Sequence, residues 1–393
     1  MSLAPKIELC SYHKLLGKAA VRPSLIIAGG YSAGHITPGI ALSEAFSPQV
    51  NCIFMGARDG MEASLVVQAG LPFIGVHALP WAGRRASARA ASLATLLPAI
   101  LCARREIKKS GATALISLGS FAALAPSLAA VSLGLPVILY ESNTTLGLAH
   151  RVLLPFAKTL LTSRLFHQAL PRRPAPVTVG VPLRNDILAL AHRSVEFPPG
   201  AVRVLVLGGS LGNPFFNRRM PDVMRRLALI HPGVSVIHQC GIAIDPTPII
   251  RAYADVGVSA SVETYRNPIS TAFESIHLVV TTAGAITLHE IAAAGIPALI
   301  MPLEGAAARH QHDNAFTFTA LTGCPHISED TWDDEQVSGT LAGLLADPAA
   351  WQACSHRLRR FFSPDSASRT LQILRPFLLS PCSSETPSPA PSQ

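Results

Sequence analysis

Two apolar runs of strand length end in the same way. Leu25-Ile-Ile-Ala leads into Gly29-Gly-Tyr-Ser, and Val204-Leu-Val-Leu leads into Gly208-Gly-Ser. Short apolar runs bounded by turn residues read as buried strands. Later in each half an Ala-rich helical stretch closes on Gly, an apolar residue and Pro, and a new apolar run begins. These are Gly134-Leu-Pro-Val-Ile-Leu and Gly295-Ile-Pro-Ala-Leu-Ile. Gly just past a helix and Pro soon after it are stop signals, so each following run reads as the next parallel strand. The repeated punctuation predicts an α/β protein of two Rossmann-like domains facing each other across a cleft.

The 393-residue length agrees with two domains. A Pro/Arg-rich segment, Leu170-Pro-Arg-Arg-Pro-Ala-Pro, marks the expected boundary. The organisation read from the chain is a basic extension at 1–22, a first domain at 23–172 and a second at 173–349. A helical segment at 350–376 follows, able to pack back across the cleft, and then a disordered Ser/Pro tail at 377–393. Gly111 to Tyr140 carries no charge, and ~18 or more apolar residues can span a bilayer. Gly119, Ser120, Pro126, Gly134 and Pro136 divide that stretch into strand and helix lengths, which favours a buried strand–helix–strand unit.

Composition sharpens this picture. Hydrophobic residues make up 49% and charged residues 14%, as parallel strands buried on both faces require. The formal net charge of +8 favours an anionic partner. Its Lys and Arg residues are dispersed, without the aromatic interleaving of a stacking surface, so nucleic acid is not the expected partner. Seven scattered cysteines without a C-x-x-C pair point to reduced thiols rather than a disulfide framework or zinc site. Between Val76 and Lys109, Leu79, Trp81, Leu96, Leu97, Ile100 and Leu101 are mixed with Arg84, Arg85, Arg89, Arg104, Arg105, Lys108 and Lys109. Apolar residues rimmed by cations suit an anionic membrane surface, and equally an ordinary amphipathic helix.

Four clusters carry candidate chemistry. Gly208-Gly209-Ser210-Leu-Gly212 joins a strand to a helix, where main-chain amides and the helix dipole favour a phosphate. The loop is neither a P-loop nor the full dinucleotide fingerprint. Gly29-Gly-Tyr-Ser32-Ala-Gly34-His35 is the matching turn of the first half. It brings His35 to the carboxyl end of a strand, where a neutral imidazole can take a proton from a hydroxyl. The same position also suits a capping histidine. Glu290, after Gly284-Ala285, could bind a ribose through two hydroxyls or simply favour a helix N-terminus. His310, Gln311, His312 and Asn314 offer the dense donors and acceptors that a sugar needs. The i, i+2 histidines lack the spacing of a helical zinc pair, and no Asp-x-Asp triplet occurs, so neither a metal nor another cofactor is expected.

In this order the motifs resemble the MurG family of UDP-N-acetylglucosamine:undecaprenyl-diphospho-muramoylpentapeptide N-acetylglucosaminyltransferases. The resemblance runs from about Ser24 to about Ala346. It is carried by Ala28-Gly-Gly…His35…Pro38-Gly, Gly60-Met-Glu62, Glu141-Ser-Asn143, Pro182-Leu-Arg184, the Gly208–Gly212 loop and Asn217. Glu290-Ile-Ala-Ala-Ala-Gly295 and His310-Gln-x-x-Asn314-Ala complete it. The family is similar to other enzymes of the GT-B fold.

By that resemblance the second domain holds UDP-N-acetylglucosamine. Ser210, Gly209 and Gly212 would face the diphosphate, with Gly284 and Ala285 at the neighbouring helix start. Glu290 would meet the ribose, Gln311 and Asn314 the N-acetylglucosamine, and Tyr265 and Arg266 the uracil edge. Arg184 and His310 complete the donor side. His35 would be the base, with Ser32, Gly34, Gly119 and Asn143 on the acceptor side. The implied reaction is inverting transfer to lipid I, an undecaprenyl-diphosphate-linked acceptor, giving lipid II at the cytoplasmic face of the bacterial inner membrane, with the protein attached peripherally. Departures concentrate on the first-domain loops: the His35 loop is one residue longer than Gly-Gly-Thr-Gly-Gly-His, Gly-x-Gly-Gly-Tyr has become Ser117-Leu-Gly-Ser-Phe121, and His-Glu-Gln-Asn is Tyr140-Glu-Ser-Asn. Elsewhere Gly-Asn-Pro has become Gly180-Val-Pro and the usual Arg before Ser/Ala-Gly-Ala is Thr282. Another lipid acceptor, or UDP-sugar binding without turnover, are the alternatives these changes leave open.

Overall fold

A computed structural model describes residues 22–77, 86–170, 174–193, 197, 200–304 and 309–379, with the side chains of 86–94 and 309 left out. Residues 1–21 of the expected N-terminal extension, residues 380–393 of the expected Ser/Pro tail, and Leu79, Trp81, Arg84, Arg85 and the Arg89 side chain lie outside the described residues, whereas residues 377–379, expected in the tail, are the end of a helix.

The first sheet contains β1 (Ser24–Ala28), β2 (Asn51–Ala57), β3 (Phe73–Val76), β4 (Ala112–Ser117), β5 (Val137–Glu141), β6 (Thr159–Thr162) and β7 (Pro176–Thr178). Its spatial order is β3-β2-β1-β4-β5-β6-β7, and every pairing is parallel. The second sheet holds β8 (Arg203–Leu207), β9 (Ser235–Gln239), β10 (Ser259–Glu263), β11 (Leu278–Thr282) and β12 (Ala298–Met301). Their order, β10-β9-β8-β11-β12, repeats the same doubly wound pattern, again wholly parallel. Helices cover both faces, so the strands read as unbroken apolar runs: Leu25, Ile26, Ile27, Val204, Leu205 and Val206 are fully buried.

Helices of the first domain are α1 (Thr37–Phe46), α2 (Met61–Gln68), α3 (Ala86–Ser110), α4 (Leu124–Ser132) and α5 (Leu148–Leu153). The uncharged stretch is a strand–helix–strand unit of β4, α4 and β5, and no helix of the described residues is long and apolar enough to cross a membrane. The first sheet continues past the 172/173 boundary expected from the Pro/Arg segment, because β7 adds to its edge. Pro176 is tolerated at the start of an edge strand, where its missing N–H breaks no ladder.

The second domain adds α6 (Asn185–Leu190), α7 (Pro214–Ile230), α8 (Thr247–Asp255), α9 (Ser270–Phe273), α10 (Ala285–Ala294), α11 (Arg309–Thr322) and α12 (Asp334–Ala346). The C-terminal helical segment is two helices, α13 (Pro348–Phe361) and α14 (Ser366–Leu379), because Pro364 denies the intervening residues a helical continuation. α13 packs on α10 and α11, whereas α14 packs on α1 and β4 of the first domain. There Leu371, Leu374 and Leu378 join the core of Leu25, Ile27 and Phe46, each such side chain contributing roughly 1.5–3 kcal/mol. The chain thus closes on the domain in which it began.

Two imidazoles are sealed in the second domain. His238 on β9 donates from Nε2 to Asn217 Oδ1 at 3.1 Å, since the Asn217 Nδ2 is spent on the Cys240 carbonyl; Nδ1 then accepts from the Tyr253 hydroxyl at 2.9 Å. His289 on α10 donates from Nδ1 to the Ala285 carbonyl at 2.7 Å. Burial drives both imidazoles down to about 4. The unfolded chain, with histidines near 6.5, binds more protons between these values, so this stability is complete above pH 6.5 and is lost as pH falls through 4. Thermal melts at pH 7 and 4.5 should show a marked acid loss, of the order of 3 kcal/mol per group at most.

Candidate active site

The strand ends of the two sheets meet across the cleft. After β8 the chain turns through Gly208–Gly212 into α7, whose first turn is capped by Asn213 accepting from the Phe215 amide at 2.8 Å. Gly212 has φ +78°, and a Cβ there would lie 1.9 Å from the Cys240 carbonyl oxygen, so only glycine lets this loop pass so close to the end of β9. Gln239 ties the turn down: its Nε2 donates to the Gly209 carbonyl and its Oε1 accepts from the Arg266 amide, both at 3.1 Å. Ser210 remains half-buried at the lip of the turn.

Glu290 lies in the middle of α10, not in its first turn, so the expectation of an N-terminal carboxylate is corrected: the helix already starts at Ala285. Only 8% exposed, Glu290 receives no hydrogen bond among the described residues. Burial raises its carboxyl to about 7, with Arg184 opposing and Asp186 adding. Arg184 donates to Asn267 Oδ1 at 2.9 Å and lies 3.4 Å from Asp186, while its Nε is buried without a partner. Tyr265 is half-buried beside the same Arg184 and Glu290. The Arg266 guanidinium is already committed, forked onto Glu263 and bonded to Thr271 at 3.2 Å, and its amide is spent on Gln239, so only its main-chain carbonyl is left to face a ligand.

On the first domain, a short 3₁₀ turn (Ala33–His35) enters α1. His35 Nδ1 shares a hydrogen bond with Ser32 Oγ at 3.0 Å. Burial drives its imidazole down to about 4, with the Glu141 carboxylate opposing and His150 and His310 adding to the fall. A neutral ring with a free lone pair is the state this favours at neutral pH. Gly34 of the same turn faces Ile286 on α10 across the cleft. The turn before it is held by Glu62 on α2, fully buried, which accepts from the Ala57 amide at 2.7 Å and the Tyr31 amide at 3.1 Å.

Tyr31 and Ser120 are the positive-φ non-glycine residues among the described residues, at 71° and 69°. Both stand in the two first-domain loops that depart from the family motif. Ser120, at ψ 168°, holds a conformation that is nearly glycine-only, and its Oγ is buried without a partner.

A polar tie at the cleft spans the domains. Asn314 on α11, fully buried, accepts from the Thr144 amide at 3.1 Å and donates to Asn143 Oδ1 at 3.1 Å and the Ala283 carbonyl at 3.0 Å. Gln311, one turn earlier, accepts from the Ala283 and Leu303 amides, both at 3.1 Å, and so staples the loops after β11 and β12. Its Nε2 has no protein partner among the described residues. In this closed arrangement Asn314 and Asn143 join the domains, whereas Gln311 retains a donor for a ligand.

The glycosyltransferase family 28 N-terminal domain matches residues 25–162 and its C-terminal domain residues 203–370. A Xanthomonas campestris UDP-N-acetylglucosamine–N-acetylmuramyl-(pentapeptide) pyrophosphoryl-undecaprenol N-acetylglucosamine transferase is 34% identical over 91% of this chain and 82% of its own length. The Xylella fastidiosa protein of the same name is 33% identical over 90% and 96%. The chain belongs to the MurG family. Acinetobacter baumannii MurG superposes with a TM-score of 0.70 at 22% identity, covering 90% of this chain and 99% of that one. The glycotransferase of kitacinnamycin follows at 0.68 and 16%, covering 91% and 100%. These likenesses establish the two-domain GT-B fold for this MurG-family glycosyltransferase.

The sequence-predicted residues therefore gather around one cleft. Ser32, Gly34, His35, Gly119 and Asn143 come from the first domain. Gly284, Ala285, Glu290, His310, Gln311 and Asn314 lie on α10 and α11 or at their starts, with Arg184 and Tyr265 beside Glu290 and the Gly209–Gly212 turn tied through Gln239 to Arg266, next to Tyr265. Gln239 and His150 were not singled out in the sequence, since each sits inside a run that reads as core, and Thr144 acts through its main-chain amide, which residue type does not reveal. Relief of the Ser120 backbone is directly testable: Ser120→Gly should raise the unfolding free energy by about 1–2 kcal/mol in urea titration.

Proposed function

We propose that this chain transfers N-acetylglucosamine from UDP-N-acetylglucosamine to the muramoyl sugar of lipid I, with inversion at the anomeric carbon. The observation that carries the reading is the placement of a neutral, anchored His35 opposite the N-terminal end of α10 and the polar start of α11. In this reading the Gly209–Gly212 amides, Ser210 and the α10 N-terminus meet the diphosphate, where negative charge grows as UDP departs. Glu290, buried and without a hydrogen bond, takes the ribose hydroxyls, and Gln311 offers Nε2 to the sugar. Tyr265 and the Arg266 main chain flank the base, with Arg184 beside the ribose. His35, oriented through Ser32, removes the proton from the acceptor hydroxyl, next to Gly34 and Gly119.

Membrane attachment belongs to the same proposal. Leu97 and Leu101 on α3, and Leu148, Val152 and Phe156 at i, i+4 spacing along α5 and the turn after it, are largely exposed beside Arg105, Lys108 and Arg151. Such a surface suits the cytoplasmic leaflet, where an undecaprenyl-linked acceptor would reside. A second reading, another lipid alcohol as acceptor, draws on the altered Tyr31 and Ser120 loops. Purified protein with UDP-N-acetylglucosamine and a panel of lipid acceptors distinguishes them; a panel with no His35-dependent product would refute both.

His35→Ala should lower kcat by ~10²–10⁴-fold while UDP affinity in calorimetry stays unchanged. Glu290→Ala should weaken UDP binding by about 10–100-fold, as expected for loss of charge-assisted hydrogen bonds, and an unaltered dissociation constant would remove it from the ribose site.

A further inference from the structure

We propose that His150, held by Glu141, is a positioning residue that fixes the His35 imidazole and biases its charge. The inference rests on the reading of His35 as the proton acceptor and adds a buried second imidazole to it.

The two rings meet around one glycine. A methyl group at Gly119 would lie 3.1 Å from Cε1 of His150 and 3.3 Å from Cδ2 of His35, so the absent side chain is what admits both. His150 on α5 is 1% exposed and cannot drift, because its Nδ1 lies 2.9 Å from Glu141 Oε2. Glu141 in turn accepts from the Gly147 amide at 3.0 Å and, through Oε1, from the Asn143 amide at 3.1 Å and side chain at 2.8 Å. Burial pushes this carboxyl up, but His150 and those amides outweigh it and hold it at about 2. A carboxylate so fixed only accepts, and therefore His150 Nδ1 carries the proton. The other ring nitrogen lies 3.4 Å from Ser117 Oγ, a hydroxyl that can donate to a neutral Nε2 or accept from a protonated one. Both ring nitrogens of His150 thus have a fixed partner.

Three titratable groups face His35: Glu141 at the end of β5, His150 on α5 and His310 on α11 across the cleft. The carboxylate favours a charged His35, and a charged imidazole disfavours it. Glu141 and His150 therefore pull in opposite directions on the same ring.

The test is a histidine-ring NMR titration of the full chain without substrate, with the His35 signal assigned by its loss in His35→Gln. In His150→Gln, and in the smaller His150→Asn, the His35 midpoint should move to higher pH; in Glu141→Gln it should move lower. The acidic limb of kcat/KM should shift in the same senses. In the His150 variants kcat should fall by about 10–100-fold, as a displaced base implies, with the UDP dissociation constant unchanged. Midpoints that stay put, or that move the same way in both sets, overturn the proposal. Because the NMR reading needs no turnover, opposed shifts in a protein that shows no His35-dependent transfer would uphold the coupling and refute only the role of His35 as base.

Discussion

A carboxylate buried at the end of a central strand has to collect hydrogen bonds or lose its charge, and Glu141 collects them from three directions. The Asn143 main chain and side chain, the Gly147 amide and the His150 imidazole all converge on it. Each of these then has a fixed place. Asn143 is aimed across the cleft at Asn314, α5 is started at Gly147, and His150 is set behind Gly119 and His35. The geometry of the first-domain rim is largely a consequence of satisfying one charge.

The second constraint is topological. Two wholly parallel sheets leave their strand carboxyl ends as the places where loops and helix N-termini gather. Facing such ends toward one another concentrates main-chain donors in a single cleft. α13 and α14 hold that arrangement by running from one domain to the other, and Arg164 reinforces the passage by donating to the Arg360 carbonyl at 2.6 Å and the Phe361 carbonyl at 3.0 Å. Asn314 provides a polar tie at the cleft itself. Such a small polar contact is easily exchanged for ligand or water, which suits a cleft that must admit a sugar nucleotide.

Strain and support occur side by side in the first domain. Tyr31 and Ser120 hold left-handed backbone in the loops beside His35, and the buried Glu62 steadies the first of them through the Tyr31 amide. Stored strain of this kind persists only where the surroundings over-determine the conformation. Here the surroundings are tight: a Cβ at Gly30 or Gly60 would run into the Glu62 carboxyl group, and one at Gly56 into the Gly29 carbonyl.

Strand runs, Gly-Pro stop signals and the two Gly-rich turns determined the fold class and the presence of a cleft, because local periodicity and turn chemistry are encoded residue by residue. Motif order pointed to His35, Glu290 and the His310–Asn314 run as members of one site. Tertiary structure alone decided what each could do there. Arg266 is spent on Glu263 and Asn314 on the opposite domain, Glu290 sits mid-helix, and His150 reaches His35 past a glycine many residues away in the chain. β7 and α14 likewise joined the first domain through packing that lies far from them in sequence. Hydrogen-bond partners and burial depend on which distant segments meet, and no local pattern carries that information.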